Sequence, residues 1–384
     1  MCHPLVEVHD GGTIVMHLAQ RGVPEASLAG HGADVHFQLA LLPPAVNSAV
    51  KTYGGRSSVL RASRHLTLLA AVAATLAAAD VHAQTGWPAG AIKLIVAYPP
   101  GGSTDVIARL VQPCLQERLA TTVIVENRSG GSGSVATAAV VRSAPDGSNW
   151  LMVFDNHAAN PFVLPDLSYD TEKDLDPVLL IGTAPDVLST QAQKPFKTLA
   201  DVIAAANAKP ATISYASVGS GSVGHLAMAQ FSTRAGIRLV HVPYRGGGPA
   251  MNDAIAGHVD LLIGSTALSI PQIQAGTIRA IAQTGKMRTP TLGAVPTIGE
   301  SGFPGFEAHA WWGVFAPART ANTVVNRFGG DFAACVRQER VATQLTQTQQ
   351  ISLTLSAPEE LRSFLRDQMQ TWGPVAREHD IKAE

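Results

Sequence analysis

The chain has 384 residues, with 28 Lys and Arg against 29 Asp and Glu, for a formal net charge of −1. That balance argues against a nucleic-acid binder, which carries a basic excess; 46% hydrophobic against 15% charged residues argues against disorder. Three cysteines without a Cys-x-x-Cys pair argue against a disulfide-dense scaffold, zinc or dithiol redox chemistry, and the length is that of about two domains.

The N-terminal region differs from the rest. Arg61-Ala-Ser-Arg-His65 is basic, Leu66 to Ala79 carries no charge, and Asp80-Val-His-Ala83 ends in a small-residue cleavage pattern. This pattern predicts a signal peptide over 59–83 rather than a buried Ala-rich helix, and the apolar run is shorter than the roughly 20 residues that span a membrane. Cleavage after Ala83 leaves a chain that begins at Gln84. Residues 1–58 have no sustained apolar period, and are expected to be a disordered extension or to reflect a start assigned too early. In an exported chain Cys114 and Cys335 are available to pair, though the sequence does not show that they lie close.

From Gln84 onward one device repeats: strand, glycine loop, helix. Ala91–Tyr98 reads as a buried strand. Pro99 to Thr104 form a loop with Ser103 or Thr104 as N-cap and Asp105 in the first helical turn. The helix that follows should bend or break at Pro113. A strand at Thr122–Glu126 leads through Gly130-Gly-Ser-Gly133 into a small-residue helix, and Trp150–Phe154 is a third strand. The pattern restarts with a helix over Thr198–Ala208, a strand over Ile213–Ser217, the loop Gly219–Gly224 and a helix from His225. A strand over Arg238–Tyr244 precedes Arg245-Gly-Gly-Gly248 and a helix beginning at Pro249. Val259–Ile263 and Thr277–Thr284 read as further strands, and the last 75 residues as helical. Such alternation means two α/β domains with mainly parallel sheets.

In sheets of this kind ligands bind beyond the strand C-termini. There the loops expose unpaired amides and the helix dipole adds partial positive charge, which suits a carboxylate or phosphate. Glycine loops also serve merely as tight turns, but several in one chain favour binding. Gly219-x-Gly221-x-x-Gly224 follows a strand and opens a helix, like a dinucleotide fingerprint. The next strand, however, ends Val242-Pro-Tyr-Arg245 without the acid that holds the ribose. An NAD(P)-dependent dehydrogenase is thus the alternative to a binding protein. No nucleophile elbow, phosphate-binding Gly-Lys-Ser/Thr or His-Glu-x-x-His is present, and no two histidines after Gln84 have helical metal-ligand spacing. His225 opens a helix beside a Gly/Ser loop and is a candidate pocket residue. His241, in an apolar strand, reads as a hydrogen-bonded core histidine. Trp311-Trp312 reads as packing or pocket wall, since no basic cluster accompanies it.

A resemblance adds to this. The motifs Tyr98-Pro-Pro-Gly-Gly-Ser-Thr-Asp-Val-Ile-Ala-Arg109, Val125-Glu-Asn-Arg-Ser-Gly-Gly131, Tyr215-Ala-Ser-Val-Gly-Ser-Gly-Ser222 and His241-Val-Pro-Tyr-Arg-Gly246 occur in order. Pro145-Asp-Gly147, Val295-Pro-Thr297, Pro304-Gly-Phe306, Trp312-Gly313 and Ala316-Pro317 accompany them. From about Trp87 onward the chain resembles the Bug family, periplasmic substrate-binding receptors associated with tripartite tricarboxylate transporters. The resemblance implies a type II periplasmic-binding-protein fold, two α/β lobes with a ligand cleft between them. It implies domain 1 over 84–185 and 308–384, domain 2 over 186–307, and lobes that close about hinge strands near residues 185 and 308. The implied ligand is a small carboxylate (a dicarboxylate, acidic amino acid or aromatic acid), held mainly by amides and hydroxyls. Neither cofactor nor metal nor catalysis is implied.

Carried over, the domain 1 contacts are Pro100, Gly101, Gly102, Ser103, Thr104 and Asp105. Those of domain 2 are Ser217, Gly219, Ser220, Gly221, Ser222 and His225, with Tyr244, Gly246 and Gly247 on one side and Ser265 or Thr266 on another. Asp155-Asn156-His157 departs from the small hydroxyl residues that the family pattern suggests there. Asn156 and His157 are therefore further candidates, and Asp155 must be turned away or protonated to avoid repelling a carboxylate. A monomer is expected, with a tripartite tricarboxylate transporter or a sensor as partner.

Overall fold

The computed structural model describes residues 5–9, 13–17 and 86–383. The chain divides into units Met1–Ala83 and Gln84–Glu384. In the first unit, β1 (Leu5–His9) pairs antiparallel with β2 (Thr13–His17). The expected signal peptide lies outside the described residues.

The second unit is built on two sheets that share one strand. β3 (Ile92–Val96), β4 (Val123–Asn127) and β5 (Asn149–Phe154) are parallel. β6 (Leu175–Gln191) and β11 (His309–Pro317) complete this sheet in the order β4-β3-β5-β11-β6. β7 (Ser214–Ser217), β8 (Val240–Pro243) and β9 (Leu261–Ser265) are parallel in the second sheet. Its order is β8-β7-β9-β6, with β10 (Ile278–Gln283) on the far side of β6. Each lobe therefore has three parallel strands, a strand running the other way and an outer strand. β6 pairs with β11 from Leu175 to Pro185, and from Asp186 it pairs with β9 instead. The lobes exchange chain there and again between Thr284 and His309.

The helices cover the sheets. α1 is Ser103–Leu119, α2 Ser134–Val141 and α3 Asn156–Val163. In the second lobe α4 is Leu199–Ala208, α5 Val223–Ala235, α6 Gly247–Ala256 and α7 Thr266–Gln274. α8 (Asn322–Val336), α9 (Glu339–Thr343), the short strand β12 (Ser352–Leu353) and α10 (Pro358–Glu378) follow. α10 buries Leu361 and Leu365 in the core of the first lobe and Trp372 and Ala376 in that of the second, so it straps the two together.

Four expectations need correction. The last 75 residues are not all helical, because His309-Ala-Trp-Trp-Gly-Val-Phe-Ala-Pro317 is a central strand; its unbroken apolar run fits a strand covered on both faces. Ser103 and Thr104 do not cap α1. The cap is Gly102, and Asp105 reaches back to accept from the Gly101 amide at 3.0 Å, which supplies the missing acceptor. Pro113 does not end α1; it lies on the exposed face of the helix. α6 begins at Gly247 rather than Pro249, since Gly246 at φ 128° turns the chain earlier.

Cys114 in α1 and Cys335 in α8 are disulfide-bonded across 221 residues of sequence. A loop this long loses much unfolded-state entropy when closed. Cys335→Ser is expected to lower unfolding free energy by about 2–5 kcal/mol. Denaturant melts of variant and parent, each under oxidising conditions, measure that loss, and the reduced parent should match the variant.

Candidate functional site

Three helices begin at the junction of the lobes: α1 at Ser103 in the first, α6 at Gly247 and α7 at Thr266 in the second. Each leaves its first amides without intrahelical partners and carries about half a positive charge at that end. Gly102, Ser103 and Thr104 from one lobe face Gly246, Gly247 and Ser265 from the other across a chamber of about 20 Å³, roofed by Tyr98, Phe154, Val218 and Leu268. Among the described residues no acidic side chain lines it. Trp312 Nε1 donates to Ser103 Oγ at 3.1 Å, which orients that hydroxyl, and Ser265 Oγ caps α7 by accepting from the Leu268 amide.

The chamber is small because the lobes already touch. A Cβ on Gly248 would lie 2.9 Å from the Pro100 carbonyl oxygen, and one on Gly246 would lie 2.8 Å from Pro99 Cδ. Asp105 points away. Burial pushes its pKa up, but hydrogen bonds from Arg109, the Gly101 amide and Asn127 outweigh this and hold it below the usual carboxylate range.

Tyr98 and Val218 also line a second, larger cavity of about 510 Å³. Its first-lobe wall is the loop Gly130–Gly133, and its second-lobe wall holds Gly219, Ser220, His241 and Tyr244. Arg245 and Lys382 add positive charge, that of Lys382 partly offset by its ion pair with Asp380 at 2.8 Å. Lys382 is placed by its neighbours: Ile381 and Ala383 are buried in the second core, and the Ala383 amide donates to Val163 O at 2.8 Å.

His241 forms a stack with His225, centroids 3.6 Å apart, and its Nε2 is hydrogen-bonded to Ser217 Oγ at 2.7 Å. The Gly221 amide donates to His225 Nδ1 at 3.2 Å, which requires an unprotonated nitrogen. Burial lowers the His225 pKa to about 3, helped by His241 and His379, and lowers that of His241 to about 4.

Of the residues expected from sequence, Gly102, Ser103, Thr104, Gly246, Gly247 and Ser265 meet in the small chamber, and Gly219, Ser220 and Tyr244 in the large cavity. Pro100 and Gly101 sit on the exposed shoulder of the same turn. Others are turned inward. Ser217 is spent on His241, and Ser222 caps α5 by accepting from the His225 amide. Gly221 packs against Val163, and Thr266 is fully buried. His225 backs the wall while His241, read as core, faces the cavity. His157 is not at the cleft. It lies in the core of the first lobe against Phe315, with both ring nitrogens unpartnered, and burial lowers its pKa to about 3. Asn156 accepts from Tyr98 OH at 3.1 Å and approaches Gly219 without lining either space. Sequence reasoning missed Tyr98, the Gly130–Gly133 loop, Arg245 and Lys382. The Gly130–Gly133 loop carries the same glycine signature as the others, whereas Lys382 carries no signal in the sequence.

The strand–loop–helix units also match a family model. A model described as the tripartite tricarboxylate transporter family receptor matches residues 107–381. The chain belongs to that family. It is 34% identical over 307 residues to the protein BugT of Bordetella pertussis, covering 79% of this chain and 94% of BugT. Among solved structures it resembles R. palustris Rpa4515 with adipate (TM-score 0.74, 32% identity, 77% of this chain and 99% of that one). It also resembles MatC of Rhodopseudomonas palustris with bound malate (TM-score 0.72, 28% identity, 75% and 99%). This tripartite tricarboxylate transporter receptor thus has the expected two-lobed periplasmic-binding-protein fold, in a family of solute-binding receptors rather than enzymes.

The stacked histidines of the receptor give a pH test. Their folded pKa values lie below the ordinary value near 6.5, so the unfolded chain binds protons first as pH falls. Stability is lost between about pH 6.5 and pH 4. His241→Gln is expected to reduce that loss by roughly 2–3 kcal/mol, read from denaturant midpoints across the interval.

Proposed function

We propose that the chain is an extracytoplasmic receptor that captures a small carboxylate between its lobes and performs no chemistry on it. The observation that carries this is the convergence of three helix N-termini, one from the first lobe and two from the second, on one chamber without an acidic side chain. An anion bound there gains charge-assisted hydrogen bonds from both lobes at once, and lobe closure removes the water that would weaken them. The larger cavity adjoins it through Tyr98 and Val218, and Arg245 and Lys382 suit a second negative group. A dicarboxylate is therefore the first choice of ligand, with acidic amino acids and aromatic acids behind it. Adipate and malate in the two solved relatives support the same class. The candidate contacts are the amides and hydroxyls of Gly102, Ser103, Thr104, Gly246, Gly247 and Ser265. The closed form is what a tripartite membrane transporter or a sensor would recognise.

The dehydrogenase alternative finds no support. A dinucleotide would set its pyrophosphate at the N-terminus of α5. That position is filled, because Asp155 Oδ1 accepts from the Val223 amide at 3.1 Å.

Thermal shift with adipate, malate and NAD separates the two. A dicarboxylate should raise the melting temperature and NAD should not; stabilisation by NAD alone would overturn the receptor reading. Gly248→Val puts a side chain against the Pro100 carbonyl of the opposite lobe without straining its own helix. It should weaken dicarboxylate binding at least about tenfold, roughly 1.4 kcal/mol, while the melting temperature without ligand changes little.

The chain is placed in the periplasm by its family, and the route there is an export signal removed after Ala83. N-terminal sequencing of protein released from the periplasm should begin at Gln84. A chain that still carries residues 59–83 would contradict that cleavage.

A further inference from the structure

Asp155 and Asp186 both reach the first turn of α5 where the lobes join, and the carboxylate site does not use them. Asp155 follows β5 in the first lobe, and its Oδ1 accepts from the Val223 amide in the first turn of α5 in the second. Asp186 is the residue at which β6 passes from one sheet to the other. It reaches the same turn, since a Cβ on Gly224 would lie 3.4 Å from Asp186 Oδ2. Both side chains are buried, 1% and 2% exposed, and the Oδ2 of each has no hydrogen-bond partner. Neither carboxyl is in an ion pair among the described residues.

We infer that Asp155 is a latch between the lobes, and that closure requires a proton held between Asp155 and Asp186. When the lobes part, Asp155 leaves the start of α5 and meets water, and Asp186 loses its like-charged neighbour. When they close, two like charges would share a buried space in which only the Val223 and Asn156 amides favour the charge on Asp155, and one must be neutral. The groups around the pair supply no counter-charge. Tyr98, at the end of β3, is kept un-ionised by burial and by Asp155. In α3, His157 is neutral, and in α5 His225 accepts a hydrogen bond and is neutral too. β9 presents Ser265 opposite Asp186, and β11 presents Trp312 opposite Phe154, beside Asp155. Burial raises the pKa of Asp155, and Asp186 raises it further; burial pushes Asp186 up to about 7. The closed form thus binds a proton that the open form releases. Closure is favoured below about pH 7 and weakens above it, by up to about tenfold per pH unit for one proton.

The test needs no ligand. Small-angle scattering of the full chain at pH 6 and pH 8.5 reads lobe opening as a larger radius of gyration, with thermal melts to show that each variant is folded. The parent is expected to be closed at pH 6 and more open at pH 8.5. Asp186→Asn and Asp155→Asn each remove one charge and keep the shape; burial still acts on the carboxyl that remains, so each should open less than the parent at pH 8.5. Asp155→Ala removes the acceptor and should be open at pH 6. A parent that is open at pH 6, or equally closed at both, overturns the inference. So does a parent-like pH response in both Asn variants. Because no carboxylate is added, these outcomes are independent of the receptor's ligand.

Discussion

The meeting of backbone amides across the two lobes depends on how closely two turns approach. Gly102 of the first lobe and Gly247 and Gly248 of the second come so near that a methyl group on Gly248 would press on the Pro100 carbonyl oxygen. That approach brings the start of α1 against the starts of α6 and α7. Partial charges of about half a unit at separate points on a surface would be screened by water. Gathered around one small, nearly dry chamber, they act on the same guest in a medium of lower dielectric. The glycines matter for what they omit. Gly246 also supplies a backbone angle that other residues rarely adopt.

The sharing of β6 makes the approach possible. One strand contributes its first half to one sheet and its last residues to the other, so the two turns are carried by separate cores with a short covalent path between them. The return near His309 and the strap of α10 add two further links. Motion between the lobes is thereby confined to a few strand residues around Pro185, the kind of place that absorbs hinge rotation. The disulfide between α1 and α8 lies within the first lobe and stiffens the body that carries the Ser103 turn without restraining the hinge.

The repeating unit was legible in the sequence because its signals are local. Apolar runs of strand length, glycines at the turn and periodic helices appear in order, and the boundaries fell within a few residues for β3, β5, β7 and α4. Nonlocal features were not legible. His309–Pro317 was mistaken for part of a helical tail because a central strand has no alternation to show its period. The same limit decided the side chains. Nothing in the spacing of Ser217, Ser222 and His225 shows that their polar atoms are consumed within the second lobe, or that His157 turns inward against Phe315. Lys382 reaches the cavity only because the residues on either side of it are anchored in a core formed by distant segments.

Asp155 shows how such a departure resolves physically. An acid at a strand end beside an anion site looks self-defeating in the sequence. In the fold it is directed to the N-terminus of α5, which does not open into the small chamber. The protein's own carboxylate satisfies that end, and the starts of α1, α6 and α7 are left for a guest. The arrangement costs desolvation of a charge, and hydrogen bonds from the Val223 and Asn156 amides do not offset a cost of several kcal/mol for a buried ion. With a second acid, Asp186, beside it and no cation near, neutralisation of one of the two is the only inexpensive solution. The electrostatics of closure are therefore set by two groups that need not touch the ligand, and the ligand's affinity inherits whatever pH dependence they impose.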